Sequence, residues 1–210
     1  MTINLHMYDL PNGINFKNSV AVDTEAMGLK NYRDRLCVVQ LSTEDGECHL
    51  VHFPEPNFSN AVNLKAVLTD TSLLKIFHYG RFDIGILQYT FQTFIKTIYC
   101  TKIASRLVRT YTNRHGLKDL CKELLGVELS KQEQTSDWGA QTLTPDQLKY
   151  AASDVLFLHK LKDKLDFLLK REKREDLAQA CFDFLPYRAH LDLLAGEKFD
   201  IFSYQTDEKS

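Results

Sequence analysis

Apolar and polar positions alternate from residue 19 to residue 25. Val20 and Val22 fall on one side of an extended chain, and Ala21, Asp23 and Glu25 on the other. Two further strand-like runs follow, RLCVVQLS at 35–42 and CHLVHF at 48–53, separated by a turn at Glu44-Asp45-Gly46. Segments joined this closely can pair only as antiparallel neighbours. A helix near 58–69 then leads to a strand at 73–79, a second helix over about 81–90, and a fifth strand at 94–100.

After Thr101 the spacing of apolar residues is helical. Thr144-Pro145-Asp146-Gln147 is a helix start with Thr144 as N-cap and Gln147 closing a capping box. From there Tyr150, Asp154, Phe157, Leu161, Leu165 and Leu168 recur every three or four residues and predict one long helix with a single inward face. The expected class is α/β: a mixed five-stranded sheet flanked by helices, with a helical C-terminal part.

Within that pattern the carboxylates are out of place. Asp23 and Glu25 lie in a strand, Asp83 opens a helix after a strand, and Asp154 sits one turn beyond Tyr150 on an apolar helix face. An unpaired acid in such surroundings is costly to bury, and several acids in one pocket raise each other's pKa values. Divalent cations relieve both penalties. All-oxygen donors suit Mg²⁺, with Mn²⁺ as a substitute, and two such ions can activate a water for phosphodiester cleavage. Tyr150 stands where a hydroxyl would orient that water.

Composition narrows the setting. The chain has 210 residues, 44% hydrophobic and 26% charged, which fits one globular domain spanning 1–210, its helices and tail from about 172 being candidates for subunit contacts. No apolar run is long enough to cross a bilayer and no signal-peptide layout is present, so a cytoplasmic protein without a membrane partner is expected. Five scattered cysteines without a CxxC pair read as reduced thiols. A formal net charge of −2 argues against a surface built to grip many phosphates at once.

The ordered set DxE, HxxRFDxxxL and YxxxD resembles the three exonuclease motifs of the DEDD superfamily in its tyrosine subgroup; Lys149 stands where the histidine subgroup has its histidine. RLCVVQLS, HGLKDLCKELLGV and KQEQTSDW are similar to ribonuclease D, and the compact length with CFDFLPYRAHLDLLAGEKFDIF looks most like the stand-alone nanoRNase C group. The resemblance implies a ribonuclease H-like fold and removal of nucleotides from 3′ ends with two metal ions. It makes Asp23, Glu25, Asp83 and Asp154 the metal ligands and Tyr150 the water-positioning group. It also implies a homo-oligomer, an octamer, that degrades very short RNAs.

Other expectations concern substrate contacts. Gly28 and Leu29 follow the first motif, where an apolar side chain can wedge between bases, although Leu29 fits the core equally well. His78 and Arg81 could meet a phosphate or bond local backbone. Lys131, Gln134, Ser136 and Trp138 lie in a polar loop before the capped helix; Lys131 or Gln134 suits a phosphate, and Trp138 is better placed in the core than as a stacking platform. Alternatives of the same chemistry are ribonuclease D-like trimming of structured RNA and 3′-5′ cleavage of DNA. A nucleotide-binding module without catalysis is the remaining alternative, and it would have no need of a complete acid set.

Overall fold

The computed structural model describes residues 2–129, 136–195 and 201. Six strands form one sheet: β1 (Thr2–Met7), β2 (Ser19–Ala26), β3 (Leu36–Ser42), β4 (Glu47–His52), β5 (Leu74–Phe77) and β6 (Ile98–Cys100). Their order across the sheet is β1-β4-β3-β2-β5-β6. The β2-β3-β4 meander is antiparallel, as the short connections require, whereas β1 joins β4, β5 joins β2 and β6 joins β5 in parallel. β3 lies inside the sheet and is buried along its whole length.

The sheet therefore has six strands, not five. The added strand is TINLHM, whose alternation of Ile3, Leu5 and Met7 with polar residues is a strand pattern in a short, half-exposed edge segment. The expected strand at 94–100 contracts to its last three residues, because the chain reaches the sheet only after Thr97, which has a positive φ.

The helices are α1 (Val62–Thr69), α2 (Arg81–Phe91), α3 (Thr101–Val108), α4 (Leu117–Leu120), α5 (Pro145–Leu156), α6 (Leu158–Arg171) and α7 (Glu175–Ala195), with one π-helical turn at Cys121–Leu125. The capping box on α5 is present as the sequence implies. The long helix is not continuous: Phe157, at φ −102° and ψ −3°, breaks it into α5 and α6. α5 rests on β2, β3 and β4, and α6 sends Leu158, Leu161 and Leu165 into the main core. Tyr150 and Asp154 thus belong to a different helix from the leucines that continue their stripe. α7 packs along α2. No helix among the described residues is long and apolar enough to cross a membrane.

Candidate active site

A cavity of about 630 Å³ opens where the C-terminal end of β2, the start of α2 and the last turn of α5 meet, and all four acids line it. Asp23, Glu25 and Asp154 each offer a carboxylate oxygen, and these oxygens lie within 4.8 Å of one another. Asp83, in the first turn of α2, is buried and accepts a 2.6 Å hydrogen bond from the Thr24 hydroxyl. Strand, helix and helix converge because β5 pairs beside β2 and delivers the chain straight into α2, while α5 crosses β2.

The electrostatics of this cluster are unfavourable for anions. Burial raises the pKa of Asp23 well above the carboxylate range, and the charges of Asp83, Asp154 and Glu25 raise it further. Burial lifts Glu25 to about 9, with Asp154 and Asp83 adding to the shift. Asp83 and Asp154 are also raised by burial, each partly offset by a hydrogen bond, from Thr24 and Tyr150 respectively. Four oxygen donors that resist ionising together are what a doubly charged cation would stabilise, so the residues fit a divalent metal centre. Tyr150 is half-buried, and its hydroxyl acts on Asp154 to hold that carboxyl's pKa down against burial. Its pKa is raised by burial and by the neighbouring acids, so the phenol stays protonated.

Around the acids, Leu29 projects into the cavity with 78% of its surface exposed, which excludes the core alternative for it. Gly28 permits this presentation: a Cβ there would collide with the Asp34 carboxylate, which accepts hydrogen bonds from the Lys30 backbone and the Arg33 side chain and so closes the loop. His78 lines the cavity with its Nδ1 2.9 Å from the Thr101 hydroxyl. Burial, helped by Lys102, holds His78 down at about 3, so the ring is neutral and can meet a phosphate only as a hydrogen-bonding group. Arg81 does not bond local backbone through Nε and Nη2; these atoms donate to Asp192 on α7 at 2.6 and 2.7 Å. Arg188 donates to the same carboxylate at 2.8 Å.

Trp138 is 3% exposed and sits in a small core with Cys37, Val38, Leu143 and Ala151, its ring 6.0 Å from that of Tyr150. Neither Trp138 nor Ser136 lines the cavity. Lys131 and Gln134 lie outside the described residues. Several cavity residues had no signal in the sequence: Thr24, Asn31, Tyr79, Lys118 and Asp192. Thr24 could have been found from its place between two acids in a strand; Asp192 could not, being 111 residues from the arginine it holds.

A family model described as 3′-5′ exonuclease matches residues 6–170. The chain belongs to the 3′-5′ exonuclease family. Among curated proteins it is 33% identical over 157 residues to the ribonuclease D of Gluconacetobacter diazotrophicus, covering 75% of this chain and 39% of that protein. The chain thus spans about two fifths of the length of the curated ribonuclease D relatives it matches. Among solved structures it is similar to Brucella melitensis NrnC at 52% identity and TM-score 0.93, covering 97% of this chain and 100% of that one. NrnC has also been solved with bound Mg²⁺ and bound to pGG, at 50% and 51% identity. Escherichia coli RNase D, described as an exoribonuclease involved in structured RNA processing, matches at 26% identity and TM-score 0.70, covering 82% of this chain and 45% of that one. The fold is accordingly that of the ribonuclease D-like exonucleases.

Proposed function

We propose that the protein is a two-metal-ion 3′-5′ exoribonuclease that hydrolyses short oligoribonucleotides, dinucleotides in particular, to mononucleotides. The observation that carries this reading is the convergence of Asp23, Glu25 and Asp154 within 4.8 Å, beside a buried Asp83. These four side chains would hold two divalent cations, Mg²⁺ with Mn²⁺ able to substitute. When bound, the ions neutralise the acids and supply a water of low pKa together with charge stabilisation at the phosphate. The protein's own groups do the rest. Thr24 fixes the Asp83 carboxylate, Tyr150 would orient the attacking water through its hydroxyl, and Leu29 would meet the terminal bases. His78 and Arg81 stand on the cavity wall as phosphate contacts.

Short substrates are favoured by the net charge of −2, which leaves little basic surface for a long strand. The 51% identity with NrnC, a protein solved with pGG, supports the same size class. A homo-oligomer, octameric by family resemblance, is part of the reading. Ribonuclease D-like trimming of structured RNA is the second reading, favoured by 33% identity with ribonuclease D.

A time course on 5′-labelled RNAs of two to about ten nucleotides, with DNA of the same sequences alongside, separates the readings. Release of mononucleotides in Mg²⁺, its arrest by EDTA and fast consumption of dinucleotides are expected. Dinucleotides left as end products, or a monomer by light scattering, would favour trimming of longer RNA instead. Equal rates on DNA would favour a general 3′-5′ exonuclease.

A further inference from the structure

Tyr79 stands at the junction between β5 and α2, and its backbone is unusual there. Its φ is +61°, in the left-handed region that bulky residues rarely occupy. The next residue is glycine for a steric reason: a Cβ on Gly80 would come within 2.6 Å of the Phe77 Cβ. The chain therefore turns tightly at this point, and glycine or asparagine would turn it with less strain.

The strained conformation does not hide the ring. Tyr79 is 55% exposed and lines the cavity, and with Leu29 it is one of two exposed large hydrophobic side chains on that wall among the described residues. The Lys102 ammonium lies 3.4 Å from the ring centroid, and Lys102 itself does not line the cavity. One aromatic face is thus covered by a cation from outside the cavity lining, while more than half of the side chain stays exposed.

Resting on the exonuclease reading above, we infer that Tyr79 is a specificity-determining residue: a stacking platform for a nucleobase of the substrate, backed by Lys102. A flat ring fixed from behind takes any base, because every base has a π-face, and so selects for an unpaired base without selecting sequence. The strain at Tyr79 is then the cost of presenting the ring rather than packing it.

The test compares Tyr79→Gly and Tyr79→Phe with the wild type. Three quantities are read: thermal midpoint, kcat and KM on a 5′-phosphorylated diribonucleotide, and fluorescence of a 2-aminopurine dinucleotide bound in metal-free buffer, where stacking quenches the signal. Tyr79→Gly is expected to raise the midpoint by a few degrees, since glycine relieves the positive φ, and to raise KM about tenfold with kcat within about threefold. Quenching should disappear in Tyr79→Gly and persist in Tyr79→Phe. Unchanged KM and quenching in Tyr79→Gly would overturn the platform. A lower midpoint would overturn it too, by making the ring a packing group. If the wild type cleaves no dinucleotide yet quenches through Tyr79, the dinucleotide reading fails and this inference stands.

Discussion

Replacing Glu25 with glutamine should stabilise the metal-free protein, and the size of the effect follows from the crowding of acids. Burial and the charges of Asp154 and Asp83 move Glu25 from its ordinary 4.5 to about 9. The folded state therefore keeps a proton on Glu25 that the unfolded chain gives up. Stability falls as pH rises from the unfolded value of 4.5 towards the folded value of about 9. At about pH 7.5 the gap is roughly 3 units, and at about 1.4 kcal/mol per unit the penalty is about 4 kcal/mol. Water reaches part of the carboxyl, so that figure is a ceiling. Glutamine keeps the shape and carries no such penalty. For a chain of this size the gain corresponds to a midpoint up to roughly 10 °C higher. The assay is calorimetric unfolding in EDTA from about pH 4.5 to 9. The variant's advantage should vanish at the acid end and grow with pH. Saturating Mg²⁺ should narrow that advantage, because a ligand that binds only the folded wild type at about 100 times its Kd contributes about 2.7 kcal/mol. An advantage independent of pH, or none at all, would refute the argument that burial and the neighbouring acids keep Glu25 protonated in the folded state.

Three further outcomes are expected. Asp154→Asn should fold normally and lose activity by about 10³-fold or more; turnover within tenfold of wild type at saturating Mg²⁺ would remove Asp154 from the ligand set. Tyr150→Phe should lower kcat on the order of 10²-fold with KM little changed, and a silent substitution would leave Tyr150 a packing residue beside Trp138. Gly80→Ala should destabilise the protein by about 1–3 kcal/mol, because the added methyl meets the buried Phe77 where neither can yield cheaply. A midpoint shift below one degree would show that the β5–α2 turn relaxes.

Legibility in the sequence followed the range of the interactions. The β2 acids, the turn at Asp45 and the α5 capping box are set by neighbours within a few residues, so local pattern was sufficient to place them. The break at Phe157 was invisible because the apolar spacing continues across it; only packing against β2–β4 on one side and the main core on the other separates α5 from α6. β1 was missed for the opposite reason, since a short edge strand takes its stability from β4, some 45 residues away by the Thr2–Glu47 pairing. In the site, Asp23, Glu25, Asp83 and Asp154 were readable as acids in apolar context. Asn31, buried against Gly85 where a Cβ would strike its amide, was not, because a loop asparagine looks the same whether it is solvated or inserted.

The carboxylate that α7 lends to Arg81 bears on where this protein may be cut. The match to the family model runs from residue 6 to residue 170 and ends before that helix begins, although the likeness to NrnC covers 97% of the chain. A domain boundary drawn there would sever Asp192 from Arg81, two residues from Asp83, and remove the carboxylate to which this cavity-lining guanidinium donates twice. The family model and the mechanics thus mark different edges on the same chain. A chimera joining residues 1–170 to the remaining segment of a longer relative would keep every motif residue and still lose the Asp192 contact to Arg81.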